Sequence, residues 1–583
     1  MYSTEQMIRK TLKNHLFFIV FILVSFLEFR ESILAVFESS RLWIKHPETI
    51  SLIAHGKFLI PYLDGLSGDH FLFYNPLSDW IRWRVQSLFS IHPVTFHSMV
   101  IAPLISIIFF SVNFYSIRLL NVSRYSAILS SLILQFGGSS KLMYFFNVND
   151  YLHLEEFIHV PSSVLYLGNT QAWGWLFFLP TLCFLWKAIE ERSIKNWVIH
   201  SFLLGLSFHF HILTFVHLVF ASSCLLLFSF SIDFKKIILL FILLMGATVS
   251  VFHLNQTFLL PFFCFLWATL GWTFFIKKSV FYGIILNAFI LSFVLFPFFM
   301  EKQFVLDSVF HKVGSPKIPH ILTYFIFYLL IFLIYFFKKR RSIFFAILFS
   351  SLFLGYNQYW GWGNHPYRFL IHLIFAFSLG IGFILDEYSL WYRSKIRIYL
   401  IGFSFLLLLI SIFSHQFLLY SGPKKRIKIS NNDLVFLNKI NQIPEGDWVV
   451  LPEFNYPWGI YSQSVISSTL PGKGWLPDPR YVVRYEGYQE RLNVLCREIP
   501  YQYQQLTSRM KPCHTRARLS DELVQNYCNR NYLIHFGELP LDLIKKIESA
   551  GWKKEFESGK GKIWKRTKPC SLYSINISDN LSY

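Results

Sequence analysis

Charge is scarce in this sequence. Asp, Glu, Lys and Arg make up 15% of its 583 residues, against roughly 25% in an ordinary soluble domain. Acidic residues are the scarcer sign, 34 against 54 basic ones, for a net charge of +20. That surplus would suit a nucleic-acid binder. Many of the Lys and Arg, however, sit at the ends of apolar stretches, where the positive-inside rule places them, so nucleic acid is set aside. The basic C-terminal part suits a position near anionic lipid or phosphate groups. Cysteine is also sparse, with seven residues. Cys183, Cys224 and Cys264 fall in apolar stretches and read as packing residues. Cys496, Cys513, Cys528 and Cys570 lack the CxxC spacing of a zinc site, and in an exported domain they could form two disulfides with three connectivities open. No GxGxxG, Walker or HExxH motif is present, which removes the common nucleotide-binding and zinc-peptidase readings.

What the chain has in abundance is apolar and aromatic side chains. It is 54% hydrophobic and 19% aromatic, with 66 Phe and a mean hydropathy of +0.43. From Lys13 to Gln416 it consists mostly of apolar stretches of about 16–24 residues, near the length that crosses a bilayer as a helix. The basic start (Arg9, Lys10, Lys13) precedes a long apolar run without a small-residue cleavage site, so it reads as an uncleaved first span over about 15–37.

Between the spans, basic clusters alternate with loops rich in His and carboxylates. Arg118 and Arg124; Lys187, Arg192 and Lys195; Lys235 and Lys236; Lys277 and Lys278; Lys338–Arg341; and Arg393, Lys395 and Arg397 mark one side. Thirteen spans reconcile these six clusters with the N-terminus inside and the C-terminus outside. The loops at 39–95, 147–172 and 356–367 then share the outer side. After Gly422–Pro423 the polarity becomes ordinary. Trp448–Pro452 and Asn531–Phe536 read as strands, Leu541–Ala550 as a helix, and Gly551–Lys565 as a closing hairpin. The expected fold is an α-helical polytopic membrane protein with an extracytoplasmic α/β domain, divided as 1–420 and 424–583.

The outer loops hold the residues with chemistry. Asp64 and Asp69 lie in a Gly-broken stretch, where a carboxylate can deprotonate a hydroxyl or hold a metal; an ordinary solvated loop carboxylate is the plainer alternative. Gly68 and the adjoining His70 single out Asp69. Asp150, His153 and Glu156 would share a helix face at i, i+3, i+6. They suit Mn²⁺ or Zn²⁺, with Mg²⁺ favouring the oxygens, and a polar helix cap competes equally. His209 and His211 near a hairpin tip point opposite ways in a helix, so packing or hydrogen bonding is favoured over a shared metal.

The stretch Tyr359–Leu370 contains Trp360, Trp362, His365 and Arg368. Pro366 opens a helix well, and an Arg at the membrane edge is costly unless it has a partner. Guanidinium and helix N-terminus together suit a phosphate; snorkelling to lipid head groups is the alternative. The Trp pair can stack on sugar rings or form an interfacial belt.

With its 13 spans, acidic first and second outer loops and exported C-terminal domain, the chain resembles the GT-C superfamily of integral-membrane glycosyltransferases, in a bacterial form. The His365-Pro-Tyr-Arg-Phe helix start is similar to a late-span motif of such proteins. The resemblance implies a polyprenyl-phosphate-linked sugar as donor and membrane lipid as surroundings. It assigns the first-loop acid to Asp69, the second-loop acidic motif to Asp150 and a phosphate contact to Arg368. It places the chain in the inner (plasma) membrane, with a divalent metal, Mg²⁺ or Mn²⁺, as the expected cofactor. A clean DxD after span 3 and a WWD motif are both missing, so protein N-glycosylation is not implied. A transporter or flippase would instead bury charges mid-span and show paired inverted repeats; a non-catalytic assembly protein for lipid-linked saccharides is the third class.

Overall fold

A computed structural model describes residues 4–37, 76–89, 96–136, 165, 170–229, 341–355, 366–388, 406, 430–440, 442–444, 447–450, 530–536, 541–549 and 551–568. The chain divides into two compact units. One takes in Met1–Glu28, Pro103–Met300 and His311–Ser421; the other takes in Phe29–Ala102, Glu301–Phe310 and Gly422–Tyr583.

The first unit is helical. Its described elements are α1 (Thr4–Phe37, continuing past the unit), then α2 (Pro76–Phe89) in the other unit, α3 (Ala102–Leu119), α4 (Arg124–Phe136), α5 (Thr170–Glu191), α6 (Ile194–Phe210), α7 (Ile212–Ser229), α8 (Arg341–Gly355), α9 (Pro366–Leu370) and α10 (Leu373–Tyr388). Among the described residues three segments are long and apolar enough to cross a membrane: Met99–Leu119, Gln171–Glu191 and Arg368–Asp386. At 1.5 Å per residue each approaches the roughly 30 Å of a hydrocarbon core. The expected first span, 15–37, lies within α1 but is not one of these three, Leu213–Leu226 and Ser342–Gly355 are shorter apolar helices, and several further expected spans lie wholly or partly outside the described residues. Met99 belongs to a short π-helical turn, His97–Ile101, and its carbonyl accepts from Ser32 Oγ of α1 at 2.7 Å.

Tight turns join neighbours at two of the basic clusters. Asn121 and Arg192 adopt positive φ, 59° and 53°, which closes the helices before them as left-handed caps do. Ser193 then caps α6 by accepting from Asn196 N. Asp386 Oδ1, near the end of α10, accepts from Ser123 N at 2.7 Å and ties that helix to the α3–α4 turn.

Polar contacts between apolar helices set the packing. Gln135 of α4, 1% exposed, donates to Glu28 Oε1 of α1 at 2.8 Å and Ser106 Oγ of α3 at 2.5 Å. Pro180 lies inside α5, and the Thr181 carbonyl beside it meets His200 Nδ1 of α6 at 3.0 Å. A carbonyl only accepts, so that nitrogen carries the proton. Cys183 and Cys224 are free and buried in this packing; the other five cysteines lie outside the described residues.

In the second unit, α11 (Asn431–Ile440) and α12 (Leu541–Ser549) accompany β1 (Trp448–Val450), β2 (Tyr532–Phe536), β3 (Trp552–Ser558) and β4 (Gly561–Arg566). The sheet order is β1-β2-β4-β3. β1 runs parallel to β2, and the other two pairs are antiparallel. Trp448, Ile534, Trp564 and Phe436 are buried in its core. Asp447 fastens one end of the sheet, accepting from Asn531 N at 2.8 Å and Asn531 Nδ2 at 2.9 Å, while Arg566 Nη2 donates to Asn531 Oδ1 at 2.9 Å. The chain is thus helical with apolar spans and a small α/β sheet.

Candidate functional site

Among the site residues read from the sequence, the structure describes Arg368. Asp64, Asp69, Asp150, His153, Glu156, Trp360, Trp362 and His365 lie outside the described residues. So do the loops that would bring them near Arg368. Among the described residues no group of three His, Cys, Asp or Glu side chains is placed to hold a metal ion.

Arg368 is half-buried on α9, with Phe369 and Leu370 buried after it. Leu370 packs over Gly355 at the end of α8, where any Cβ would overlap its side chain. The helix then breaks. The His372 amide bonds to Phe369 O at 3.1 Å, and Phe375 N to His372 O at 3.0 Å, both i to i+3. Such a tightened turn inside a span marks a hinge or a strained site. It sits one turn beyond Arg368 and swings His372 into the bundle.

There His372 meets His217 of α7, with ring centroids 4.3 Å apart and planes at 70°. The pair is enclosed by aromatic rings. Phe178 of α5 lies 5.0 Å from His217 and 4.6 Å from His372. Phe375 stacks on His372 at 5.7 Å, Phe369 meets His217 edge-on at 5.8 Å, and Trp175 meets His372 edge-on at 5.6 Å. Both imidazoles and Trp175 are at most 1% exposed.

The hydrogen bonds are unevenly shared. His217 Nε2 reaches Ser350 Oγ at 3.0 Å and Ser351 Oγ at 3.2 Å, both on α8. Ser350 spends its own proton on Ile347 O at 3.1 Å, so it accepts from His217, which places the proton on Nε2. His217 Nδ1, both nitrogens of His372 and Trp175 Nε1 have no hydrogen-bond partner among the described residues. The carbonyls of Arg368 and Phe369 lie near the His372 ring, but outside hydrogen-bond geometry.

His211 connects α6 to α7 in extended conformation, φ −161°. Its Nδ1 accepts from Thr214 N at 3.2 Å and lies 2.8 Å from Thr214 Oγ1, so it caps α7 by hydrogen bonding, as its sequence position favoured. The Arg368 guanidinium is within electrostatic reach of it.

His217 and His372 did not stand out in the sequence. His372 carried one signal, its place four residues after Arg368 and therefore on the same helical face. His217 and Trp175 carried none, because an isolated His or Trp in an apolar stretch reads as core.

No family model and no curated relative matches the sequence. Among solved structures the chain is similar to the Archaeoglobus fulgidus oligosaccharyltransferase, crystallised tethered to an acceptor peptide containing the NVT sequon through a disulfide bond. Identity is 11% and the TM-score 0.49, over 94% of this chain and 74% of that one. A likeness of that degree assigns neither activity nor substrate.

Proposed function

We propose that this chain is a GT-C-type membrane glycosyltransferase. It moves a sugar from a lipid-phosphate-linked donor to an envelope glycan, lipid or protein acceptor at the outer face of a bacterial inner membrane. The N-terminus is cytoplasmic in this reading, and residues 424–583 are extracytoplasmic. The observation that carries it is Arg368, a half-buried guanidinium at the start of an apolar span. Charge at such a position is expensive and functional by default.

Transfer requires attack of an acceptor oxygen on the anomeric carbon while the bond to the lipid phosphate breaks. The electron pair of that bond leaves on the phosphate. Arg368 stabilises this growing charge, which a fixed cation does best away from water. Asp69, with Asp64 nearby in sequence, orients or deprotonates the acceptor. Asp150, His153 and Glu156 are the place for Mg²⁺ or Mn²⁺. His365 supports the phosphate contact, and Trp360 and Trp362 offer faces to the sugar or acceptor.

Replacing Asp69 by Asn and Arg368 by Ala should each abolish transfer to envelope acceptors while the protein still inserts. Unchanged glycan profiles in both variants would leave the transporter and assembly readings standing and remove this one.

A further inference from the structure

The enclosure around His217 and His372 holds more hydrogen-bonding capacity than it uses. His217 Nδ1, both His372 nitrogens and Trp175 Nε1 are buried and unpartnered among the described residues. Each such group costs about 1–3 kcal/mol against a satisfied one. Three side chains with this deficit share one aromatic enclosure: His372 lies 4.3 Å from His217 and 5.6 Å from Trp175, ring to ring. Phe or Leu would fill the same volume without that penalty.

The unused groups have a definite sense. With its proton on Nε2, His217 presents a lone pair at Nδ1. Neutral His372 presents one donor and one acceptor, and the Trp175 indole presents a donor. Two donors and two acceptors are the complement of a hydroxyl group, which both gives and takes a hydrogen bond. A bare anion would face two repelling lone pairs. The surrounding rings of Phe178, Phe369 and Phe375 suit the C–H faces that accompany hydroxyls on a sugar.

We infer that His217, His372 and Trp175 form a hydroxyl-recognition site for the sugar of the lipid-linked donor. The inference rests on the phosphate reading of Arg368 and extends it. His372 follows Arg368 by four residues across the break between α9 and α10, and both side chains lie within electrostatic reach of His211. A site built to bond a hydroxyl discriminates strongly against a ligand that lacks it, so the imidazole pair determines sugar specificity while the guanidinium holds the phosphate. Entry requires the aromatic enclosure to open at the tightened turn around His372.

The test is binding to the full-length protein in lipid nanodiscs. The probes are dodecyl phosphate and four dodecyl-phosphate-linked sugars: glucose, galactose, mannose and N-acetylglucosamine. The wild type should bind at least one sugar probe tenfold or more tightly than dodecyl phosphate. His217→Phe and His372→Phe should erase that increment and leave dodecyl phosphate binding unchanged. Trp175→Phe, which removes the indole N–H together with part of the ring, is the second route should either His variant fail to fold. For His372→Phe, loss of the increment should come with thermal stability equal to or above wild type, as expected when an imidazole with two unsatisfied nitrogens is replaced by an apolar ring.

No sugar increment in the wild type, or an increment that survives these substitutions, overturns the inference and leaves the imidazoles as core. Arg368→Ala separates this from the underlying reading. If it abolishes dodecyl phosphate binding while the His variants change nothing, the phosphate reading stands and the hydroxyl site falls. If Arg368→Ala leaves dodecyl phosphate binding intact, the phosphate reading falls.

Discussion

The rings of His217 and His372 meet edge to face, 4.3 Å between centroids, and this contact joins α7 to the break between α9 and α10. His217 also reaches α8 through Ser350 and Ser351. One side chain therefore links three parts of the bundle. His217→Ala should destabilise the protein by about 2–4 kcal/mol, from the cavity and from the serines it strands. His217→Phe should cost less than about 1.5 kcal/mol, since volume is nearly conserved. Unfolding in mixed micelles with increasing SDS measures both; equal losses would show that shape contributes nothing at this site.

A second joint is legible in backbone approach. Ser130 Oγ donates to Ser378 O at 2.9 Å, and Ser378 Oγ donates to Ser130 O at 2.6 Å. One turn on, a Cβ at Gly382 would collide with Ser130 Oγ. Ser126 and Ser130 on α4 face Ser378 and Gly382 on α10, two small-residue pairs at four-residue spacing that let apolar helices come close. Gly382→Val should part them and cost more than either Ser→Ala change, each expected near ~1 kcal/mol. The double Ser→Ala variant should show coupling of a few tenths to about 1 kcal/mol; strict additivity would mean that the two bonds act independently.

These joints show which features a linear sequence carries. The β3–β4 hairpin was readable because Gly559 and Gly561 interrupt an alternating stretch, and β1, β2 and α12 because their periods are short and local. The α6–α7 hairpin was readable from its turn at His211. The imidazole pair was not, since His217 and His372 are 155 positions apart in the numbering and meet only once α5, α7 and α10 have packed. Nor was α11, whose apolar residues run consecutively from Leu434 to Leu437 and so hide the helical period. Arg368 was found for the opposite reason: a charge inside an apolar segment contrasts with its neighbours.

Helix contact also depends on Gly174 of α5. A Cβ there would lie 2.6 Å from His211 Cβ and 2.9 Å from Thr214 Oγ1. His211 and Thr214 form the cap of α7, so they cannot yield without losing their hydrogen bonds. Gly174→Ala should cost about 1–3 kcal/mol as an overpacking change, despite the better helix propensity of Ala. A variant as stable as the wild type in the same SDS titration would show that α5 and α7 move apart freely.

The hairpin carries a pH-dependent pair. Lys554 Nζ meets Glu557 Oε2 at 2.7 Å, and Lys562 stands 3.6 Å from the other oxygen. The Lys554 hydrogen bond, then its charge and that of Lys562, hold the Glu557 carboxyl below its ordinary range. A depressed carboxyl contributes stability above its unfolded pKa and loses it as pH falls through the folded value. Amide protection factors across 552–566, corrected for the intrinsic slowing of exchange in acid, should therefore fall on acidification, and Glu557→Gln should flatten that response. Both groups are exposed, so the contribution stays below about 1 kcal/mol.

Asp433 gives the firmest expectation in the α/β unit. It is 1% exposed, and each hydrogen bond its carboxylate makes is accepted from a donor. Its Oδ2 accepts from Ser430 N at 2.7 Å and Ser430 Oγ at 2.8 Å, and Ser430 Oγ in turn accepts from Asp433 N at 3.1 Å. This reciprocal arrangement is a capping box at the start of α11. The other oxygen, Oδ1, accepts from Lys560 N at 2.8 Å, in the turn between β3 and β4. That turn needs Gly559 at φ +59°, and a Cβ there would overlap Asp433 Oδ1. One carboxylate thus caps a helix and holds a hairpin turn against it. Asp433→Ala should cost about 2–4 kcal/mol, the loss of a cap together with stranded buried donors. Asp433→Asn keeps one acceptor oxygen and should cost roughly half as much. Hydrogen exchange separates the two roles: in Asp433→Ala the Lys560 amide should lose protection together with the first turn of α11. Loss at α11 alone would mean that the hairpin turn is held by its own strands.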